Sequence, residues 1–169
     1  IIFTPLYCCS AGPEPLFDGK SFDGWEIRGG KATYEIDDGA IVGVSVPNTE
    51  NTFLCTKKRY GDFVLTYEFL CDNALNSGVM IRAQAHPEPT TASRDGQSRT
   101  IPAGRVHGYQ VEIDPNAPDR LWTSGIYDEA RRGWLYRGPK GGGPEKFSAQ
   151  GTRTCKFHEW NAVRVECRG

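Results

Sequence analysis

No stretch of this chain approaches the roughly 20 consecutive apolar residues that a bilayer-spanning helix needs, so no membrane span is expected. An excess of one charge is missing as well. Twenty basic and 21 acidic residues leave a formal net charge of -1, too little field to attract a polyanion, and nucleic-acid binding is not expected. The six cysteines, Cys8, Cys9, Cys55, Cys71, Cys155 and Cys167, form no C-x-x-C pair and no Cys/His cluster at zinc-finger spacing, which argues against structural zinc. Cys55, Cys71 and Cys167 fall in or beside apolar strand patterns and read as small buried hydrophobes. The Gly-rich "GPKGGGPEK" lacks the G-K-[ST] ending of a P-loop, and there is no G-x-S-x-G elbow. No amphipathic helix longer than two turns can be traced, so a helical bundle is not expected.

What remains is a chain of short strands and turns. Its 169 residues fit one domain, with 20 Gly and 11 Pro as punctuation. Residues 1–14, without an initiating Met, read as a signal-peptide remnant or a disordered leader, and residues 15–169 as a single domain. "ATYEID" and "AIVGVSV" flank Asp38-Gly39, a hairpin signal. "NTFLCTK", "DFVLTYEFLCD", "NSGVMIRAQ", "HGYQVEID" and "EWNAVRVECRG" follow as strands. In the longest, Phe63, Leu65, Tyr67 and Phe69 share one face and the other is also rather apolar, as in a central strand. Residues 85–106, and "TSGIYDEARRGWLYRGPKGGGPEKF" from Thr123 on, read as two long insertions. The fold expected is all-β, a sandwich of two antiparallel sheets.

Glu68, Arg82, Gln110, Glu112, Arg164 and Glu166 all occupy the polar phase of their strands. On neighbouring strands they would cover one sheet face, either as a site or as solvated cross-strand pairs worth about 0.2 to 1 kcal/mol each. "EID" at 112–114 resembles the E-I-D-x-x-E strand of glucanases, but the position of the second carboxylate is Asn116, which disfavours ordinary retaining hydrolysis. His107, which enters the strand carrying Glu112, and Asp114 are the candidates for a metal ligand; "DPNAPD" is equally plain turn chemistry. Trp122, Tyr127, Trp134 and Tyr136 offer flat rings to the C-H faces of a sugar, or else staple a loop.

Taken in order, "LFDGKSFDGW", "NSGVMIR", "GYQVEID", "SGIYDEARRGWL" and "EWNAVRVECRG" resemble the 3-keto-disaccharide hydrolase domain family. The resemblance implies a concanavalin/laminin-G-like jelly-roll β-sandwich. Members usually continue past the last motif with further strands, so the resemblance implies either a fragment or a sandwich without its last strands. Members act on glycosides oxidised at C3, whose ketone acidifies the C2 hydrogen so that a modest base can start elimination of the C1 substituent, and water then adds. On this sequence the resemblance implies Glu112 as base or cation ligand, Gln110 as orienter, and Arg82 as a charge for the enolate or a partner of Glu112. Tyr127 and Asp128 would close over the sugar, Arg132 and Trp134 shape the rim, and Glu68, Arg164 and Glu166 give electrostatic support. A divalent cation on the ketone oxygen fits the chemistry, although no ligand set is named. Export to the periplasm or outside the cell, with or without an N-terminal anchor, is the implied location. Two other readings stay open: a non-catalytic carbohydrate-binding module, and an interaction domain within a larger exported assembly.

Overall fold

The structure is a computed structural model describing residues 1–9, 12–71, 75–116, 120–136, 149 and 155–169. The elements described are β-strands and every pairing between them is antiparallel. This is the strand inventory of a concanavalin-like jelly-roll β-sandwich. The chain divides into two compact units, Ile1–Cys71 with His158–Gly169, and Asp72–Phe157.

In the first unit β1 (Ile2–Cys9), from the segment expected as a leader, pairs with β2 (Pro13–Pro15). A two-stranded sheet joins β3 (Trp25–Gly29) to β6 (Thr52–Thr56). The larger sheet runs β16 (Asn161–Cys167), β7 (Phe63–Leu70), β1, β5 (Ala40–Val44), β4 (Thr33–Asp37). As its two apolar faces suggest, β7 is an inner strand. Leu65, Tyr67 and Phe69 are buried, and the Leu and Phe side chains stabilise the fold by roughly 1.5–3 kcal/mol each. The β4–β5 hairpin turns on Asp38 (φ 45°) and Gly39 (φ 74°), the pair of left-handed residues that a type I′ turn requires. Phe17 is buried and stacks on Phe22, while the Trp25 indole N–H donates to the Leu16 carbonyl (3.1 Å), so the aromatic N-terminal loop is anchored by its own rings. Cys55 and Cys155 are free thiols, and Cys71 and Cys167 are buried.

The second unit holds a sheet ordered β15 (Gly133–Tyr136), β14 (Ile126–Glu129), β11 (His107–Ile113), β8 (Ser77–Gln84). The two segments expected as insertions each contain a strand pair. Residues 85–106 contain the hairpin of β9 (Thr90–Arg94) and β10 (Gln97–Ile101), and residues 126–136 supply β14 and β15; residues 137–148 lie outside the described set. A short ladder of β12 (Pro115–Asn116) and β13 (Arg120–Leu121) follows β11.

The polar-phase residues fall on two sheets rather than one. Glu68, Arg164 and Glu166 belong to the sheet of the first unit, whereas Arg82, Gln110 and Glu112 belong to that of the second. Strand alternation sets the phase of a side chain but not the sheet to which its strand is added. Arg164 pairs with Glu166 at 3.0 Å in the open, a solvated ion pair of the ordinary kind.

Candidate functional site

Residues directly opposite in an antiparallel pair project to the same side, and side chains alternate along each strand. Gln110 lies opposite Tyr127 and Met80, Glu112 opposite Gly78, Gly108 opposite Glu129, and Tyr127 opposite Trp134. Gln110, Glu112, Tyr127, Glu129 and Trp134 therefore share one face of the sheet. Tyr109, opposite Asp128, lies on the other.

Glu112 is the centre of the first face. It is 3% exposed, accepts from Gln110 Nε2 at 2.5 Å on Oε1, and accepts from Asn76 Nδ2 at 3.3 Å on Oε2. Its backbone is fixed by two further bonds: its N–H donates to the Gly125 carbonyl (2.9 Å), and the Ser124 N–H donates to its carbonyl (2.8 Å). Burial raises its carboxyl to about 7; the Gln110 hydrogen bond opposes this, Asp114 adds to it, Asn76 opposes it and Glu129 adds to it. Desolvation outweighs two hydrogen bonds to the charged form.

The same burial sets a pH dependence of stability. The folded carboxyl titrates above its unfolded value of 4.5, so its contribution is fully present below pH 4.5 and is lost as pH rises through about 7. From the shift, about 3 kcal/mol should be lost across that window at 1.36 kcal/mol per unit. Urea unfolding of the parent and of Glu112→Gln at pH 4.5 and pH 8 checks this. The two proteins should be alike at the lower pH, and the variant should be the more stable at the higher.

Close approach is built in beside Glu112. A Cβ at Gly78 would lie 2.6 Å from Gln110 Cγ and 2.8 Å from the Val111 carbonyl oxygen. Gly78→Ala should displace the Gln110 amide from Glu112 at a cost of about 1–3 kcal/mol in stability, and a parallel downward move of the Glu112 pKa or an unchanged melting curve would contradict it.

An aromatic wall borders the carboxylate. Trp134 meets Tyr127 edge-to-face at 5.2 Å between centroids, and Trp122 at 5.1 Å. Arg105 Nη2 reaches Glu129 Oε1 at 2.6 Å, which places a guanidinium on this face.

Several expected residues stand elsewhere. Asp128 and Arg132 lie on the opposite face from Tyr127 and Trp134, with Arg132 Nε on Asp128 Oδ2 at 2.5 Å. Arg82 is exposed, with φ 50°, where the β8–β11 register shifts. It is four residues along β8 from Gly78, roughly 13 Å, and Gln110 and Asn76 are the hydrogen-bond partners described for Glu112. His107 and Asp114 flank opposite ends of β11, roughly 20 Å apart along an extended strand, too far to share one ion. Among the described residues no group of three or more His, Cys, Asp or Glu side chains is arranged to hold a metal. The sequence alone does not mark Asn76, Arg105 and Glu129 as site residues. Asn76 opens the "NSGVMIR" motif, but Arg105 and Glu129 carry no local signal, since they meet only through β11 and β14.

The sequence profile of the 3-keto-alpha-glucoside-1,2-lyase-like domain matches residues 12–169. The chain belongs to this family. The match spans both compact units, and no curated protein matches the chain significantly. A 3-keto-alpha-glucoside-1,2-lyase-like domain has a glycoside-processing role in general, and a carbohydrate substrate is consistent with the carboxylate and aromatic wall on the Glu112 face. Among the described residues of this 3-keto-alpha-glucoside-1,2-lyase-like domain, no helix is long and apolar enough to cross a membrane.

Proposed function

We propose that the chain cleaves 3-keto-glycosides by elimination, with Glu112 as the base. The observation that carries this reading is a buried carboxylate with a pKa near 7, two amides on its oxygens and an aromatic wall on its face. A general base works best when its pKa lies near the operating pH, and an ordinary exposed glutamate would be too weak.

The ketone at C3 makes the C2–H bond the acidic one. Glu112 takes that proton, and the C–H electron pair becomes an enolate across C2, C3 and the ketone oxygen. Collapse of the enolate forms the C1–C2 double bond and expels the oxygen on C1 with its electron pair. The protonated Glu112 can return a proton to this leaving group. Addition of water across the new double bond gives net hydrolysis. Gln110 and Asn76 hold the carboxylate in place, Tyr127 and Trp134 support the sugar ring, and Arg105, tied to Glu129, supplies positive charge for the enolate in place of Arg82. No second carboxylate is required, which accommodates Asn116.

The test is incubation of the folded chain with a 3-keto-glucoside and with its unoxidised parent in deuterated water. Release of the aglycone from the keto sugar alone, with deuterium entering C2 of unreacted substrate, is expected. Release from neither, combined with retention of unoxidised glycan on an affinity column, would replace this reading by a carbohydrate-binding module.

A further inference from the structure

The opposite face of the same sheet carries a second cluster. Asp128 is fully buried, and its two oxygens accept from Arg131 Nε (2.6 Å) and Arg132 Nε (2.5 Å). Both guanidinium carbons lie over the Tyr109 ring, at 5.2 and 5.6 Å, and Arg132 Nη2 also donates to the Tyr109 hydroxyl at 3.1 Å. Gly133 pairs with Asp128 and so faces the same way. A Cβ on Gly133 would come within 2.9 Å of the Arg94 guanidinium, so glycine leaves room for Arg94 against the backbone. Arg94 pairs loosely, at 3.7 Å, with Asp95, which is itself in solvent. His107, two residues before Tyr109 on β11, shares this face, and its ring lies 5.3 Å from that of His86.

Two guanidiniums thus hold the buried Asp128 carboxylate and a third, Arg94, lies against the Gly133 backbone paired with it, so that on this face three arginines stand against two carboxylates, Asp128 and Asp95. His107 is 3% exposed, and neither ring nitrogen has a hydrogen-bond partner among the described residues. A buried imidazole without partners is a costly arrangement that a ligand would relieve. A metal ion could take its lone pair, but the guanidiniums would repel that ion. An oxyanion instead accepts from the imidazole N–H and from the guanidinium forks, which suit planar and tetrahedral oxyanions.

We propose that Arg94, Arg131, Arg132 and His107 form a binding site for a single oxyanion: a carboxylate, sulfate or phosphate group. The site is independent of the role given to Glu112, because it lies on the other face of the sheet and takes no part in proton abstraction. Its ligand is a free anion or an acidic substituent of a glycan.

The test is titration of the whole chain with sodium sulfate at constant ionic strength, followed by calorimetry and by the His107 Cε1–H resonance. Saturable one-to-one binding that moves this resonance is expected. Arg94→Gln should weaken it about tenfold, the loss of one charge-assisted contact, and Arg94→Lys should fall in between. Arg94 does not anchor Asp128, so an unchanged melting curve is expected for both variants. Glucuronate and glucose 6-sulfate serve as competitors. Displacement of sulfate at concentrations tenfold lower than inorganic phosphate requires would identify a glycan substituent, and equal potency would identify a free anion. No saturable effect of sulfate, equal affinity in Arg94→Gln, or movement of the His107 resonance by zinc chloride but not by sulfate would each overturn the proposal and leave the guanidiniums as braces of the β14–β15 turn.

Discussion

Glu112→Gln should lower kcat on a 3-keto-glycoside by about 10²- to 10⁴-fold, the contribution of a positioned general base, with little change in KM. The substitution preserves length and planarity, so the Gln110 and Asn76 contacts can be re-formed with a flipped amide, while basicity is lost. In the parent, kcat/KM should rise with pH through about 7, because only the ionised carboxylate can take the C2 proton. The variant should lose that rising limb. Stopped assays between pH 5 and pH 9 on both proteins make the check, and turnover unchanged by the substitution would remove Glu112 from the role. A decrease in kcat accompanied by unfolding would be uninformative for most buried glutamates. Here it is not expected, since neutralising this side chain removes a desolvated charge and should stabilise the fold at pH 8.

Asp128→Asn should have the opposite character, a loss of stability of about 3 kcal/mol, the low end for breaking a buried ion pair. Asp128 is wholly buried but its partners are not; the Arg132 side chain is 48% exposed and can be rehydrated, which moderates the cost. The asparagine keeps one acceptor oxygen and turns an NH₂ toward a guanidinium. Burial alone would raise the Asp128 carboxyl, but hydrogen bonds from Arg132 and Arg131 outweigh it and hold the group below its usual range. Its stabilising effect is therefore present above the ordinary carboxylate pKa and disappears as pH falls through the lowered one. Urea unfolding at pH 7 should show the full difference between parent and variant, and the gap should narrow in acid. A difference below 1 kcal/mol at pH 7 would mean that the cluster is an ordinary surface network.

The alternation of "GYQVEID" made the Glu112 face legible, because a period of two fixes sides without knowledge of the neighbours. The same rule separates Tyr127 from Asp128: adjacent residues of a strand cannot serve one face. In the sequence their segment looks like a loop, because its strands are only four residues each. Asp95-Gly96, with φ of 52° and 76°, carries the same turn dipeptide as Asp38-Gly39. Its flanking strands, "TTASR" and "QSRTI", are too polar to show hydrophobic alternation, so the hairpin was hidden by its solvent exposure. The Arg105–Glu129 pair, and the assignment of Glu68, Arg164 and Glu166 to a different sheet from that of Glu112, depend on strand order, which composition and periodicity do not encode.

Strand β14 presents Tyr127 to one surface and Asp128 to the other. Its tolerance to change should therefore be lopsided: many replacements at either position would impair only one surface, but deleting or inserting one residue would exchange the two. A ring would be carried into the arginine cluster and a carboxylate onto the aromatic wall. In a library of variants β14 should accept substitutions far more readily than length changes, and natural relatives should vary in the turn that follows it while keeping its residue count.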